Sequence, residues 1–181
     1  MTGPLSDVTV LDLTSVISGP LATSILADQG ARVIKVESPN GDSMRMAGAL
    51  KGGVSSLFSS INRNKESIAL DLRAPEAIEI INKIAARADI CIQNYRPGVV
   101  EKLGIGYEHL KKINPELIYA SISGVGAEGP YSGRRVYDPV IQAYAGFASA
   151  QTANGEPGLI KMMICDKVTS LTMAQAITAA L

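Results

Sequence analysis

The chain alternates short apolar runs with longer stretches in which apolar residues recur every three or four positions. Residues 8–13 form a run rich in β-branched side chains and predict a strand. Residues 14–18 lead into Gly19-Pro20, where proline suits the first turn of a helix, so 21–28 is predicted helical, with Gly30 as its left-handed terminator. Residues 33–36 resume the strand pattern and complete a βαβ unit. The order recurs: 67–71 as strand, 75–88 as helix, 90–92 and 117–122 as strands. In 75–88, Ile78, Ile81, Ala85 and Ala88 fall on one face, while early glutamates and late cations complement the helix dipole. Strands separated by amphipathic helices imply a sheet covered on both faces. The predicted fold is α/β, a Rossmann-like, mainly parallel sheet flanked by helices.

Two stretches, 38–53 and 124–137, are too long for ordinary connections, and long loops at strand ends commonly carry function. The run 166–181 reads as a helix that ends without a cap, so the chain is expected to hold only part of a domain.

Composition narrows the function classes. With 46% hydrophobic residues in 181, there is enough apolar material for one compact domain. Seventeen Lys plus Arg balance seventeen Asp plus Glu, so no excess positive field exists to hold nucleic acid. Cys91 and Cys165 lie apart in apolar runs, which suggests neither a disulfide framework nor a zinc cluster and suits a reducing cytoplasm. No 18-residue apolar run or leader pattern occurs, so a membrane is not an expected partner.

Candidate chemistry is sparse. Gly124-Val-Gly-Ala-Glu-Gly129 matches G-x-G-x-x-G after a predicted strand, but Pro130, Ser132 and Gly133 follow where a helix should begin, so no helix N-terminus awaits a pyrophosphate. His109, the single histidine, sits in a short amphipathic helix where exposure is the commoner fate. No serine-hydrolase elbow or Walker lysine is present. That leaves Asp166, at the end of an apolar run and the predicted start of a helix. It reads either as an N-cap, contributing about 1 kcal/mol, or as a partly desolvated carboxylate nucleophile. These residues alone leave both readings open.

The segments together resemble the class III CoA-transferase family, which includes formyl-CoA transferase and shares its fold with the α-methylacyl-CoA racemases. The resemblance spans essentially the whole chain. It rests on Val8-Thr-Val-Leu-Asp-Leu, Gly19-Pro20, Gly30-Ala-Arg-Val-Ile-Lys-Val-Glu37, Gly41-Asp42 with Arg45, Asn62-Arg-Asn-Lys65, Ser67-Ile-Ala-Leu-Asp-Leu72, Asn94-Tyr-Arg-Pro-Gly98, Leu103-Gly104, Asn114-Pro115, Ser121-Ile-Ser-Gly124, Gly129-Pro130, Tyr137-Asp138 and Asp166, in that order. It implies that residues 1–181 are the N-terminal portion of a Rossmann-like CoA-binding domain, without the family's small domain and C-terminal part. It further implies a cytoplasmic enzyme that moves CoA between an acyl-CoA and a carboxylic acid, with no permanently bound cofactor, as an interlocked homodimer.

By the same resemblance Asp166 is the nucleophile that forms an acyl-aspartyl anhydride and then an aspartyl-CoA thioester. CoA contacts are implied at Val16, Ile17, Leu70, Arg73, Asn94, Tyr95, Arg96, Lys102 and Arg135, and no metal is implied. The racemases use a histidine and an aspartate as paired proton-transfer groups, and here Tyr137 stands in the histidine's place, which favours transfer over racemisation. A noncatalytic fragment is the remaining alternative. Ile17 stands where formyl-CoA transferase has glutamine and Ser38 where it has arginine, departures that count against an oxalate and formate substrate pair.

Overall fold

The computed structural model describes residues 3–181. In chain order the elements are β1 (Thr9–Leu13), α1 (Ser18–Asp28), β2 (Arg32–Glu37), a 3-10 turn (Ser43–Met46), the short pair β3 (Leu50–Lys51) and β4 (Val54–Ser55), α2 (Ser56–Ile61), β5 (Lys65–Ala69) and α3 (Pro75–Ala85). There follow β6 (Ile90–Gln93), α4 (Val99–Lys102), α5 (Tyr107–Ile113), β7 (Ile118–Ser121), α6 (Asp138–Tyr144), α7 (Phe147–Ala150) and α8 (Ile164–Ala180). Five strands form one parallel sheet in the order β5-β2-β1-β6-β7, and β3 pairs antiparallel with β4.

Alternation along β1 sorts the core. Val10 joins Leu26, Val33, Ile90 and Ile177 on the face covered by α1 and α8, whereas Leu11 and Leu13 join Ile81, Cys91, Val100 and Leu110 on the other. The expected α/β architecture is therefore present. Strand ends shift by a residue, α3 stops at Ala85 rather than 88, and three starts differ for identifiable reasons. α1 begins at Ser18 rather than residue 21, because Gly19 lies flat against Thr14: a Cβ there would sit 2.3 Å from the Thr14 Cβ. β5 begins two residues before the expected 67, since this edge strand is largely exposed and the apolar pattern marks only its distal half. α8 begins at Ile164 with Met163 as its N-cap, which makes Asp166 its third residue.

Charged side chains are buried inside this α/β layer. Asp12, fully buried, accepts bonds from the Thr14 amide and hydroxyl, the Thr23 hydroxyl at 2.6 Å and the Lys65 ammonium at 3.1 Å. Lys35 pairs with Asp42 at 3.1 Å, and Glu37 binds Arg45 through both oxygens and also accepts from the Ser67 hydroxyl and the Asp42 amide. Burial alone would raise the Glu37 carboxyl, but Arg45, Ser67 and the Asp42 amide together bring it from its ordinary 4.5 down to about 2. A carboxyl depressed on folding contributes stability above its ordinary value, and this is lost as pH falls through the folded one. Thermal melts followed by circular dichroism are expected to decline between about pH 4.5 and about 2, with a weaker pH dependence in Arg45→Met.

Candidate active site

The chain runs outward from β1 through β2 to β5, then returns to the other side of β1 for β6 and β7. The carboxyl ends of β1 and β6 thus flank the point where strand order reverses, which is where open parallel sheets place their ligand crevice. A cleft of about 350 Å³ lies there. Its walls come from the loop after β1 (Ser15, Val16), the loop after β6 (Asn94, Tyr95, Arg96), the stretch after β7 running to Asp138, and the first turn of α8 (Cys165, Asp166).

Asn94 ties two of these loops together. Its amide oxygen accepts from the Ser15 N–H at 2.9 Å, and its amide nitrogen donates to the Ser15 carbonyl at 2.8 Å. Gln93 does the same for the next pair, donating to the Ser121 hydroxyl and accepting from the Tyr95 N–H, each at 2.7 Å.

Asp166 is half-buried in the first turn of α8, and its side chain makes no capping bond to that helix. The N-cap alternative is thereby corrected: the carboxylate faces the cleft. Asp138, buried at the start of α6, instead accepts the Asp166 N–H at 2.9 Å through one oxygen and the Gln142 amide at 2.6 Å through the other. Gln142 also exchanges bonds with the Ile160 backbone and donates to the Met162 carbonyl, so the segment leading into α8 is clamped from α6. The Ser170 hydroxyl completes the anchoring by donating to the Ser18 and Asp166 carbonyls, both at 2.7 Å.

Burial raises the Asp166 carboxyl above its ordinary value and the Asp138 charge adds to this, while a hydrogen bond from Ser18 partly offsets both. A carboxylate that is costly to ionise is also poorly solvated, which makes it a stronger nucleophile than one in water. We expect Asp138→Asn to move the acid limb of the kcat/KM profile to lower pH, because the repelling charge is gone, and an unmoved limb would contradict this account.

Of the residues implied to contact CoA, Val16, Asn94, Tyr95, Arg96 and Arg135 line the cleft with Asp166. The others lie apart from it. Ile17 is buried as the residue before α1. Leu70, like Leu72, is partly buried against the core cluster that includes Ile81 of α3, Arg73 extends into solvent holding Asp71, and Lys102 is exposed at the end of α4. The cleft also holds Arg134, which bonds the Tyr144 hydroxyl at 2.9 Å, and Ser18. Sequence reading passed over Arg134, Ser18 and the positioning role of Asp138. An Asp-Pro pair opening a helix was the available signal for the last of these. His109 is away from the cleft, on α5 beside Asn82. The glycine-rich stretch 124–129 ends in turns rather than a helix, as Pro130, Ser132 and Gly133 after it imply.

The family model of CoA-transferase family III matches residues 5–181. The chain belongs to CoA-transferase family III. Among its relatives in this family are a succinyl-CoA:glutarate CoA-transferase of Homo sapiens, 42% identical over 98% of this chain and 41% of its own, and an acetyl-CoA:oxalate CoA-transferase of Acetobacter aceti, 46% identical over 82% and 38%. A CAIB/BAIF family protein from Brucella suis has the same fold, with a TM-score of 0.94 at 39% identity over 99% of this chain and 49% of that one. The chain thus spans less than half the length of these CoA-transferase family III relatives.

Proposed function

We propose that this chain carries the nucleophile and part of the CoA site of an enzyme that transfers CoA between an acyl-CoA thioester and a carboxylic acid. The observation that carries the reading is Asp166, half-buried and held by its backbone at a cleft that Arg96 and Arg135 border. The Asp166 carboxylate attacks the thioester carbonyl, the carbon–sulfur bond breaks and CoA leaves as a thiolate, a good leaving group because a free thiol's pKa is only about 8.5. The thiolate then attacks the aspartyl carbonyl of the anhydride, expelling the donor's carboxylate and leaving an aspartyl-CoA thioester. An acceptor carboxylate repeats both steps in reverse.

Arg96 and Arg135 would bind CoA phosphates through charge-assisted hydrogen bonds, with Val16, Asn94 and Tyr95 along the same ligand. Ile17, Leu70, Arg73 and Lys102 are assigned to the nucleotide end or to the support of the loops around it. Racemisation lacks its second base, since the exposed Tyr137 stands where a histidine would be needed. No helix among the described residues is long and apolar enough to cross a membrane, and we infer a cytoplasmic enzyme that reaches full activity as an interlocked dimer of longer chains. CoA thioesters are substrates in this scheme and no resident cofactor takes part.

Treating the complete polypeptide with acyl-CoA and then hydroxylamine is expected to leave a hydroxamate on Asp166, seen by peptide mass spectrometry. An unmodified Asp166 under turnover conditions rejects the mechanism.

A further inference from the structure

Val16 adopts φ of +69°, in the left-handed region. A β-branched residue is rarely found there, and such a conformation persists only where its surroundings enforce it. The enforcing contacts surround it. The buried Lys35 ammonium donates to the Thr14 carbonyl at 2.8 Å, and Asn94 brackets Ser15. The Val16 N–H itself points at both oxygens of the Asp42 carboxylate, at 3.3 and 3.4 Å. Asp42 is fixed in turn: it accepts the Met44 N–H at 2.9 Å and Lys35 at 3.1 Å, and the side chains of both members of that ion pair are 1% exposed. Glycine would take this φ without strain, so a valine at the cleft wall points to a use for its side chain.

We propose that Asp42, backed by Lys35, is a positioning residue: it holds Val16 in the left-handed conformation and so sets the apolar wall against which the acyl-CoA lies. The loop 38–53, through Asp42, thereby acts on a cleft that it does not line. The inference rests on the CoA-transferase reading for its kinetic readout.

A double-mutant cycle on the complete polypeptide tests it. With Val16 present, Asp42→Asn is expected to raise KM for acyl-CoA about tenfold and to change kcat less than about threefold, the scale of one strained residue. Val16→Gly loses its own apolar contact and raises KM by itself. In that background Asp42→Asn should add less than about twofold, because no strain remains to be held. Equal factors in the two backgrounds overturn the proposal. A second measurement leaves the buried pair intact: Val16→Asn, whose side chain tolerates the left-handed region, should melt no lower than wild type, and a fall of more than about 5 °C overturns the proposal even if Asp42→Asn does not fold. Absence of CoA transfer in the wild type would reject the transferase reading and leave this melting comparison standing.

Discussion

Asp166→Asn is expected to abolish CoA transfer while leaving the fold as stable as before. The amide oxygen keeps the shape of the carboxylate but cannot form an anhydride, so the covalent route is closed and turnover should fall by at least about 10⁴-fold. The stability expectation follows from the surroundings of the group. Its side chain makes no capping bond to α8, and both burial and Asp138 oppose its charge. The bond that ties residue 166 to Asp138 is made by the backbone N–H, which asparagine retains. The bond from Ser18 loses its charge assistance and attraction to the helix N-terminus, about 0.3–1 kcal/mol, is given up, and relief from desolvation and repulsion opposes both losses. A melting temperature equal to or above that of wild type, together with lost turnover, is the combined signature. Retained turnover would remove Asp166 from the mechanism, and a large fall in melting temperature would return it to a structural role.

The sheet was readable because parallel strands covered on both faces must be almost continuously apolar. Thr9–Leu13 and Ile90–Gln93 pair at the centre of the sheet, and both lie within a residue of where the pattern put them. At the edge the rule weakens, and the apolar pattern marks β5, with Lys65 and Glu66 at its start, two residues late. Lys35 sits inside an apolar strand, and its role depends on Asp42 and Thr14, which folding brings to it from other loops. The same limit applied at the cleft. No local pattern distinguishes a capping aspartate from a nucleophile, and the capping reading of Asp166 falls only once Met163 is seen to be the cap and Asp138 to hold the backbone. The resemblance is what proposes a nucleophile at Asp166, while the geometry shows how that residue is held at the cleft.

Asp12→Ala is expected to be the most destabilising single change in this layer, at about 3–5 kcal/mol in urea unfolding. The residue is fully buried, and its removal strands the Lys65 ammonium and the Thr14 amide and hydroxyl together, while the Thr23 hydroxyl falls back on the Gly19 and Pro20 carbonyls. Lys65 would keep its bonds to the Pro20 carbonyl and Asn62, but those neutral acceptors do not balance a buried charge. Burial and repulsion by Lys35 already lower Lys65 to about 8 despite Asp12, so without that carboxylate the amine should lose its proton more readily still. The pair can be separated from its parts by adding Lys65→Met. If the cost of Asp12→Ala is chiefly a stranded charge, the double variant should be more stable than the sum of the singles by about 1–3 kcal/mol, whereas additive losses would mean that the threonine bonds dominate. Buried ion pairs are often no better for stability than apolar residues of the same volume, which raises the question of what this one does. Asp12 and Lys35 both grip Thr14, two residues before Val16, at the end of the strand that opens into the cleft. An apolar core could fill the space but could not specify the path of that backbone. Loss of loop geometry in the double variant, read as a raised KM for acyl-CoA in a protein whose stability is largely restored, would assign the network to positioning rather than to stability.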